Sequence, residues 1–316
     1  MSSMKFDVVS IGSAILDVFF QSSHFQLVQK DGGVVLCERF NEKIEVEHSA
    51  ISSGGAATNT AVGFARLGLK SACIAEIGQD IGGQVVLQEL QREGVDISHM
   101  VKESSEETGI SGLLISQDGA RTALVHRGAA GMLTASDLDL DAIEAKWIHL
   151  SSVGNLELIQ HIFDVCAQKH IKLSWNPGNW EIEQMVSGQL KPAWNVVEIL
   201  FVNREEMARL GNMDLADETV WKSDWCFVGP KISVVTNGKN GGRYCVDGRC
   251  YWYDGIPVAV VQETGAGDAF ASGVIAGQLM NKNIEQSVEI GRKNASSVVG
   301  HFGAKTGLLT KEKLAL

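Results

Sequence analysis

The stretch Glu263-Thr264-Gly265-Ala266-Gly267-Asp268-Ala269-Phe270 joins a glycine-rich turn to a small-residue helix expected over residues 268–280. Its two glycines and one alanine leave backbone N–H groups uncovered, so an anion can approach closely. The helix behind them aims its positive dipole end at the same place. Asp268 sits at the exit of that turn, an electrostatic conflict of the kind that accompanies chemistry. Phosphoryl transfer would use both parts. The turn would hold developing negative charge, and Asp268 would take a proton from an attacking hydroxyl.

Around this turn the chain alternates between strands and helices. Residues 6–11 form a near-continuously apolar strand that stops at Gly12, with Asp17 just beyond. Ser53-Gly54-Gly55 opens a helix over residues 56–67, closed by Gly68. A strand at 71–77 and a helix at 83–93 follow, and further strands are expected at 147–150, 172–175, 199–202 and 232–236. Apolar strands that alternate with helices imply a mostly parallel sheet covered on both faces.

Two stretches break this rhythm. Residues 34–51 become polar-alternating, as in Lys43-Ile44-Glu45-Val46-Glu47. Strands at 108–116 and 121–126 flank Gln117-Asp118-Gly119-Ala120, a hairpin signal. Such half-exposed strands suit a small accessory sheet over the strand ends, where open α/β sheets bind ligands. Another hairpin is expected over 242–253, around Asp247-Gly248. With 4 prolines and no linker-like tract, residues 1–316 read as one domain.

A net charge of −11 over 316 residues excludes a nucleic-acid or anionic-membrane surface. Any phosphate site must be local, built from backbone N–H groups and a metal ion. Residues 6–11 start a strand with no basic leader before them, and Asp17 interrupts the only early apolar run. Neither a signal peptide nor a membrane span is expected. The six cysteines lack C-x-x-C spacing and read as free thiols in a reducing cytosol, which implies a cytoplasmic protein. Cys245 and Cys250 flank the Asp247-Gly248 turn, however, and could face each other across a hairpin. No G-x-x-x-x-G-K-[ST] loop occurs, and no G-x-G-x-x-G follows the first strand, so the quoted turn is the principal anion site.

A second glycine-rich segment, Gly54-Gly55-Ala56-Ala57-Thr58-Asn59-Thr60-Ala61, leads into Arg66-Leu67-Gly68. Together with residues 263–277 it resembles the paired signatures of the PfkB (ribokinase-like) carbohydrate kinase family. Asp17, Asn203-Arg204-Glu205-Glu206, Thr236-Asn237-Gly238-Lys239-Asn240-Gly241 and Gly303-Ala304 follow in the family's order. The resemblance implies a ribokinase-like three-layer α/β sandwich with a β-sheet lid, here inserted at about residues 13–53 and 97–128.

It also implies an ATP- and Mg²⁺-dependent kinase acting on a hydroxyl of a sugar or sugar-like substrate. Asp268 would be the general base, with Gly265, Ala266 and Gly267 as the anion hole. Asp17, Gly54, Gly55 and Asn59 would bind the substrate. Asn203, Thr236, Gly238, Gly241 and Asn294 would serve the nucleotide, and Glu206 the metal. Relatives often dimerise through the lid, so a homodimer is expected.

A nucleoside kinase of the same family is the alternative, with Phe19, Phe20, Phe25 or Phe40 as a base platform. A non-catalytic ligand-binding member is the remote one. This chain departs from the family's D-T-x-G-A-G-D by reading Gln262-Glu263 before Thr264. The missing aspartate is associated with monovalent-cation binding, so K⁺ activation is not inherited.

Overall fold

Val8 and Val9 are both fully buried, yet they enter different hydrophobic clusters. They are neighbours on β1 (Phe6–Ile11), and successive side chains of a strand leave opposite faces. The same parity splits Trp147 from Ile148 on β11 (Ala145–Leu150) and Phe201 from Val202 on β13 (Val197–Asn203). A sheet apolar on both faces must be covered on both, and it is. The computed structural model describes residues 5–30, 32–117, 121–215, 218, 221 and 229–314.

Helices α1 (Ala56–Arg66), α6 (Ala266–Leu279) and α7 (Ile284–Val299) contribute Phe64, Val274 and Val288 to the cluster on one face. Helices α3 (Leu156–Lys169), α4 (Asn179–Val186) and α5 (Arg204–Leu210) contribute Phe163, Ile182 and Met207 on the other. Between them runs an eight-stranded sheet of order β16-β15-β14-β13-β12-β11-β1-β6. It includes β6 (Ser71–Ile74), β12 (Lys172–Trp175) and β14 (Ile232–Thr236), and from β6 to β14 all pairings are parallel. The hairpin of β15 (Gly242–Val246) and β16 (Arg249–Tyr253) adds two antiparallel strands at one edge.

Asp247 and Gly248 both have positive φ (50° and 74°), the geometry of the tight two-residue hairpin that their types favour. That turn sets Cys245 directly opposite Cys250, and the two form a disulfide. The expectation of free thiols therefore fails for this pair, because the hairpin register brings the two Cα atoms to 4.1 Å. Cys37, Cys73 and Cys166 are free, and Cys226 lies outside the described residues.

A second sheet of order β10-β9-β2-β5 forms the lid, from β2 (Ile15–Gln21), β5 (His48–Gly54), β9 (Gly109–Ile115) and β10 (Arg121–His126). The turn expected at Asp118-Gly119-Ala120 lies outside the described residues. Alternation sorts the lid's faces. Asp17, Phe19 and Leu113 are buried on the inner face, where Phe19 packs against Phe302 at a ring-centroid distance of 5.2 Å. Leu124, Gly112, Val18 and Ile51 lie in one cross-strand row on the outer face. A small ribbon, β3 (Gln26–Lys30) with β4 (Gly33–Cys37), extends from the lid strands.

Two strand expectations are corrected. Lys43-Ile44-Glu45-Val46-Glu47 is exposed chain outside any ladder, held by Glu47 N–H donating to Gln21 O and Ser22 Oγ to Glu45 O. Alternation favoured an extended backbone, but pairing with β2 begins only at His48. The single strand expected at 71–77 breaks at Ala75. Its second half, β7 (Glu76–Gly78), leaves the main sheet and pairs with β8 (Val101–Glu103) before α2 (Ile81–Arg92) begins.

Candidate active site

Asp268 is the third residue of α6, whose N-cap is Gly265 in a left-handed conformation (φ 80°). A Cβ at Gly265 would also lie 2.7 Å from Ala304, so both the turn and the packing require glycine there. The amides of Gly267 and Asp268 open the helix and have no acceptor one turn back within it, while Ala266 N–H donates to Glu263 O at 3.3 Å. A Cβ built at Gly267 would meet nothing within 4 Å, so this side of the turn faces open space. The result is a backbone cradle with a carboxylate on its inner side. Asp268 is not the helix cap; its Oδ2 instead accepts a 2.8 Å hydrogen bond from Asn59 Nδ2.

That bond crosses the molecule from α1, which begins at the other glycine pair. Gly54 has no room for a side chain, since a Cβ would fall 2.0 Å from Asp17 Oδ2. At Gly55 (φ 92°) a Cβ would fall 2.4 Å from Ser13 O. The two glycines thus let β5 and α1 close down on Asp17 and the β1–β2 turn. Asp17, Gly54, Gly55, Asn59 and Asp268 are brought together in one cleft between lid and core.

Lys305 is a member of this cleft that the sequence reading missed. It is only 4% exposed and sits in the turn after α7. Its ammonium donates to Asn59 Oδ1 at 3.0 Å, to Thr58 Oγ1 at 3.3 Å and to Ser53 O, with Glu89 Oε1 3.8 Å away. Glu89 Oε2 in turn accepts the Ser53 amide at 2.6 Å. The turn is pinned from α1: Arg66 pairs bidentately with Glu93 and donates Nη1 to Lys305 O and Leu308 O.

Burial pushes Asp268 up to about 6, against the Asn59 hydrogen bond and the Lys305 charge. Burial likewise pushes Asp17 up to about 6; Lys305 and Ser111 oppose this, while Glu89 and Asp268 add to it. Lys305 is lowered by burial and pulled back by Glu89, Asp17 and Asp268. Both aspartates are therefore ionised at neutral pH while remaining basic enough to accept a proton.

The residues expected to serve the nucleotide are placed differently. Asn203 and Glu206 form a reciprocal cap on α5: Glu206 N–H donates to Asn203 Oδ1 and Asn203 N–H to Glu206 Oε2, both at 2.8 Å. Burial raises the Glu206 carboxyl above its ordinary range. No group of three or more His, Cys, Asp or Glu side chains that could hold a metal ion occurs among the described residues. Glu206 by itself suits an ion that keeps most of its waters.

Thr236 ends β14, and Gly238 and Gly241 (φ 54° and 81°) shape the loop to β15. Asn294 does not face this loop. It is fully buried, donating Nδ2 to Ala269 O at 2.8 Å and accepting Leu309 N–H at 2.9 Å, so it ties α6, α7 and the C-terminal segment together. Gln262 is buried with Oε1 on Gly303 N–H at 3.1 Å, whereas Glu263 is exposed. Of the proposed aromatic platform, Phe19 is spent on lid packing and Phe40 is 92% exposed.

Comparison with known proteins agrees with this arrangement. Residues 5–311 match the model of the pfkB family carbohydrate kinases. A probable fructokinase-7 from Arabidopsis thaliana is 31% identical over 276 residues, covering 83% of this chain and 78% of that protein. A 5-dehydro-2-deoxygluconokinase from Clostridium perfringens is 26% identical over 330 residues, covering 98% and 92%. Among solved structures, a putative ribokinase II from E. coli in complex with ATP and Mg²⁺ superposes with a TM-score of 0.78 over 98% of this chain and 97% of that one. At 18% identity that likeness speaks for the fold alone. A family match across nearly the whole chain, on a ribokinase-like fold whose two glycine signatures meet in one cleft, identifies this protein as a member of the PfkB family of carbohydrate kinases.

Proposed function

We propose that this kinase transfers the γ-phosphate of magnesium–ATP to a hydroxyl of a sugar or sugar-like acceptor, with Asp268 as general base. The observation that carries the reading is the Asn59–Asp268 bond, which holds a carboxylate beside an open backbone cradle. Asp17, on the inner face of the lid, would accept hydrogen bonds from acceptor hydroxyls next to the reacting one. The acceptor oxygen would lose its proton to Asp268 as it attacks the γ-phosphorus. The amides of Gly267 and Asp268 would take up the charge that develops on the transferred group. Residues 236–241 and the Asn203–Glu206 cap would flank the nucleotide, with Glu206 facing the ion that accompanies it.

Two further assignments follow from surface and composition. The outer lid face exposes Ile51 and Leu124 at 63% and 62%, which supports a homodimer built on that face. The dependence on ATP supports a cytoplasmic location. No helix among the described residues is long and apolar enough to cross a membrane. ADP release measured over a panel of sugars, sugar acids and nucleosides, with and without Mg²⁺, tests the reading. Release with a sugar or sugar acid supports it; release with nucleosides alone replaces it by a nucleoside kinase, and none with any acceptor overturns it.

A further inference from the structure

We propose that Lys305 is a positioning residue for the base: its ammonium fixes which end of the Asn59 carboxamide Asp268 meets. The proposal rests on the kinase reading above and adds a residue to it. A lysine ammonium has three donors and no acceptor, and an ionised carboxylate accepts only. A carboxamide placed between them can satisfy both in one orientation alone, with Oδ1 to the lysine and Nδ2 to the aspartate. That is the orientation found: Lys305 Nζ donates to Asn59 Oδ1 at 3.0 Å, and Asn59 Nδ2 donates to Asp268 Oδ2 at 2.8 Å.

Without the ammonium, Asn59 can turn over. It would then present Oδ1 to Asp268, an arrangement that is satisfied only when Asp268 carries a proton and donates it. A protonated Asp268 cannot accept the acceptor's proton. Lys305 therefore holds the base in its working form through a neutral relay that adds to the direct pull of its charge, without touching substrate. Its own setting is fully hydrogen-bonded. Ser53 O and Thr58 Oγ1 take its other donors, and Arg66 grips the backbone of its turn. The charged and titratable groups around it are Asp17 from β2, Glu89 and Glu93 from the α2 region, Asp268 from α6 and the Cys73 thiol from β6.

A purely structural alternative exists, in which Lys305 only neutralises Glu89, 3.8 Å away. Two variants separate the readings: Lys305→Met, and the paired Lys305→Met/Glu89→Gln, which also removes the carboxylate 3.8 Å from the lysine and serves where the single variant does not fold. The readout is the titration of the Asp268 carboxyl carbon by NMR, assigned through its loss in Asp268→Asn and measurable before any acceptor is known. The expected result is a midpoint raised by about one unit in both variants. In the acid limb of kcat/KM the same shift lowers the rate about fivefold at pH 6, with KM for ATP unchanged. A wild-type midpoint in either variant overturns the proposal, as does restoration of the wild-type limb by the Glu89→Gln partner change. Failure of the wild-type enzyme to phosphorylate any acceptor would strike the kinase reading instead, and leaves the titration result to decide on Lys305.

Discussion

The proposed acceptor side and the proposed nucleotide side of the site are built by opposite means. On the first, Asn59, Glu89, Asp268 and Lys305 are side chains linked to one another across three helices and the C-terminal turn, with Asp17 beside them on β2. On the nucleotide side the features are local: a reciprocal cap at residues 203–206 and a glycine turn at 238–241. A phosphate chain can be held by backbone and by its accompanying ion, which any sequence of the right shape supplies. A base must be aimed and kept ionised in a place from which water is partly removed, and that takes a cooperating network.

Breaking the acceptor network at its centre should have the largest effect. Asp268→Asn is expected to retain ATP binding while turnover falls about 10²–10⁴-fold, as measured by steady-state ADP release. Wild-type turnover in that variant would remove the distinction between the two sides. Next comes Gly54→Ala, which sets a methyl group against Asp17 Oδ2. The shift of Asp17 should lower kcat/KM for the acceptor by about 10²-fold, with the KM for ATP preserved. An equal rise in both KM values would mean that the sides are mechanically one.

The pH dependence sharpens the comparison further. The base works only when deprotonated, and burial moves Asp268 and Asp17 from the ordinary carboxylate range up to about 6. The rate should rise with pH through about 6 and level off above 7; a limb near pH 4 would point to an ordinary exposed carboxyl instead. The smallest effect is expected at the edge of the phosphate turn. Gln262 offers a neutral carboxamide whose oxygen already accepts Gly303 N–H. Exchanging K⁺ for tetramethylammonium should therefore leave kcat/KM unchanged, and a K⁺-dependent increase would show that a cation is bound after all.

The same contrast governs what could be read from sequence. Strands buried on both faces announce themselves as apolar runs, so β12 and β14 matched their expected ranges of 172–175 and 232–236. Asp268 was legible because a carboxylate beside bare glycines is odd wherever it occurs. Lys305 was not: a lysine in a C-terminal turn reads as solvated, and only Arg66 pulling that turn onto α1 buries it. Nor could sequence tell that Asn294 is consumed by core hydrogen bonds, since a polar residue on a helix looks the same whichever face is inward. Residues 43–47 misled for a related reason. Alternation describes the shape of a chain, while a strand also needs a partner at the right register.

On β2 the inner residue Asp17 and the outer residue Val18 are adjacent. The strand that carries the proposed acceptor contact is thus also part of the exposed outer face of the lid. Should two copies join there, each would sense the other's lid through one peptide bond, and filling one cleft would be felt at the doorway of the next.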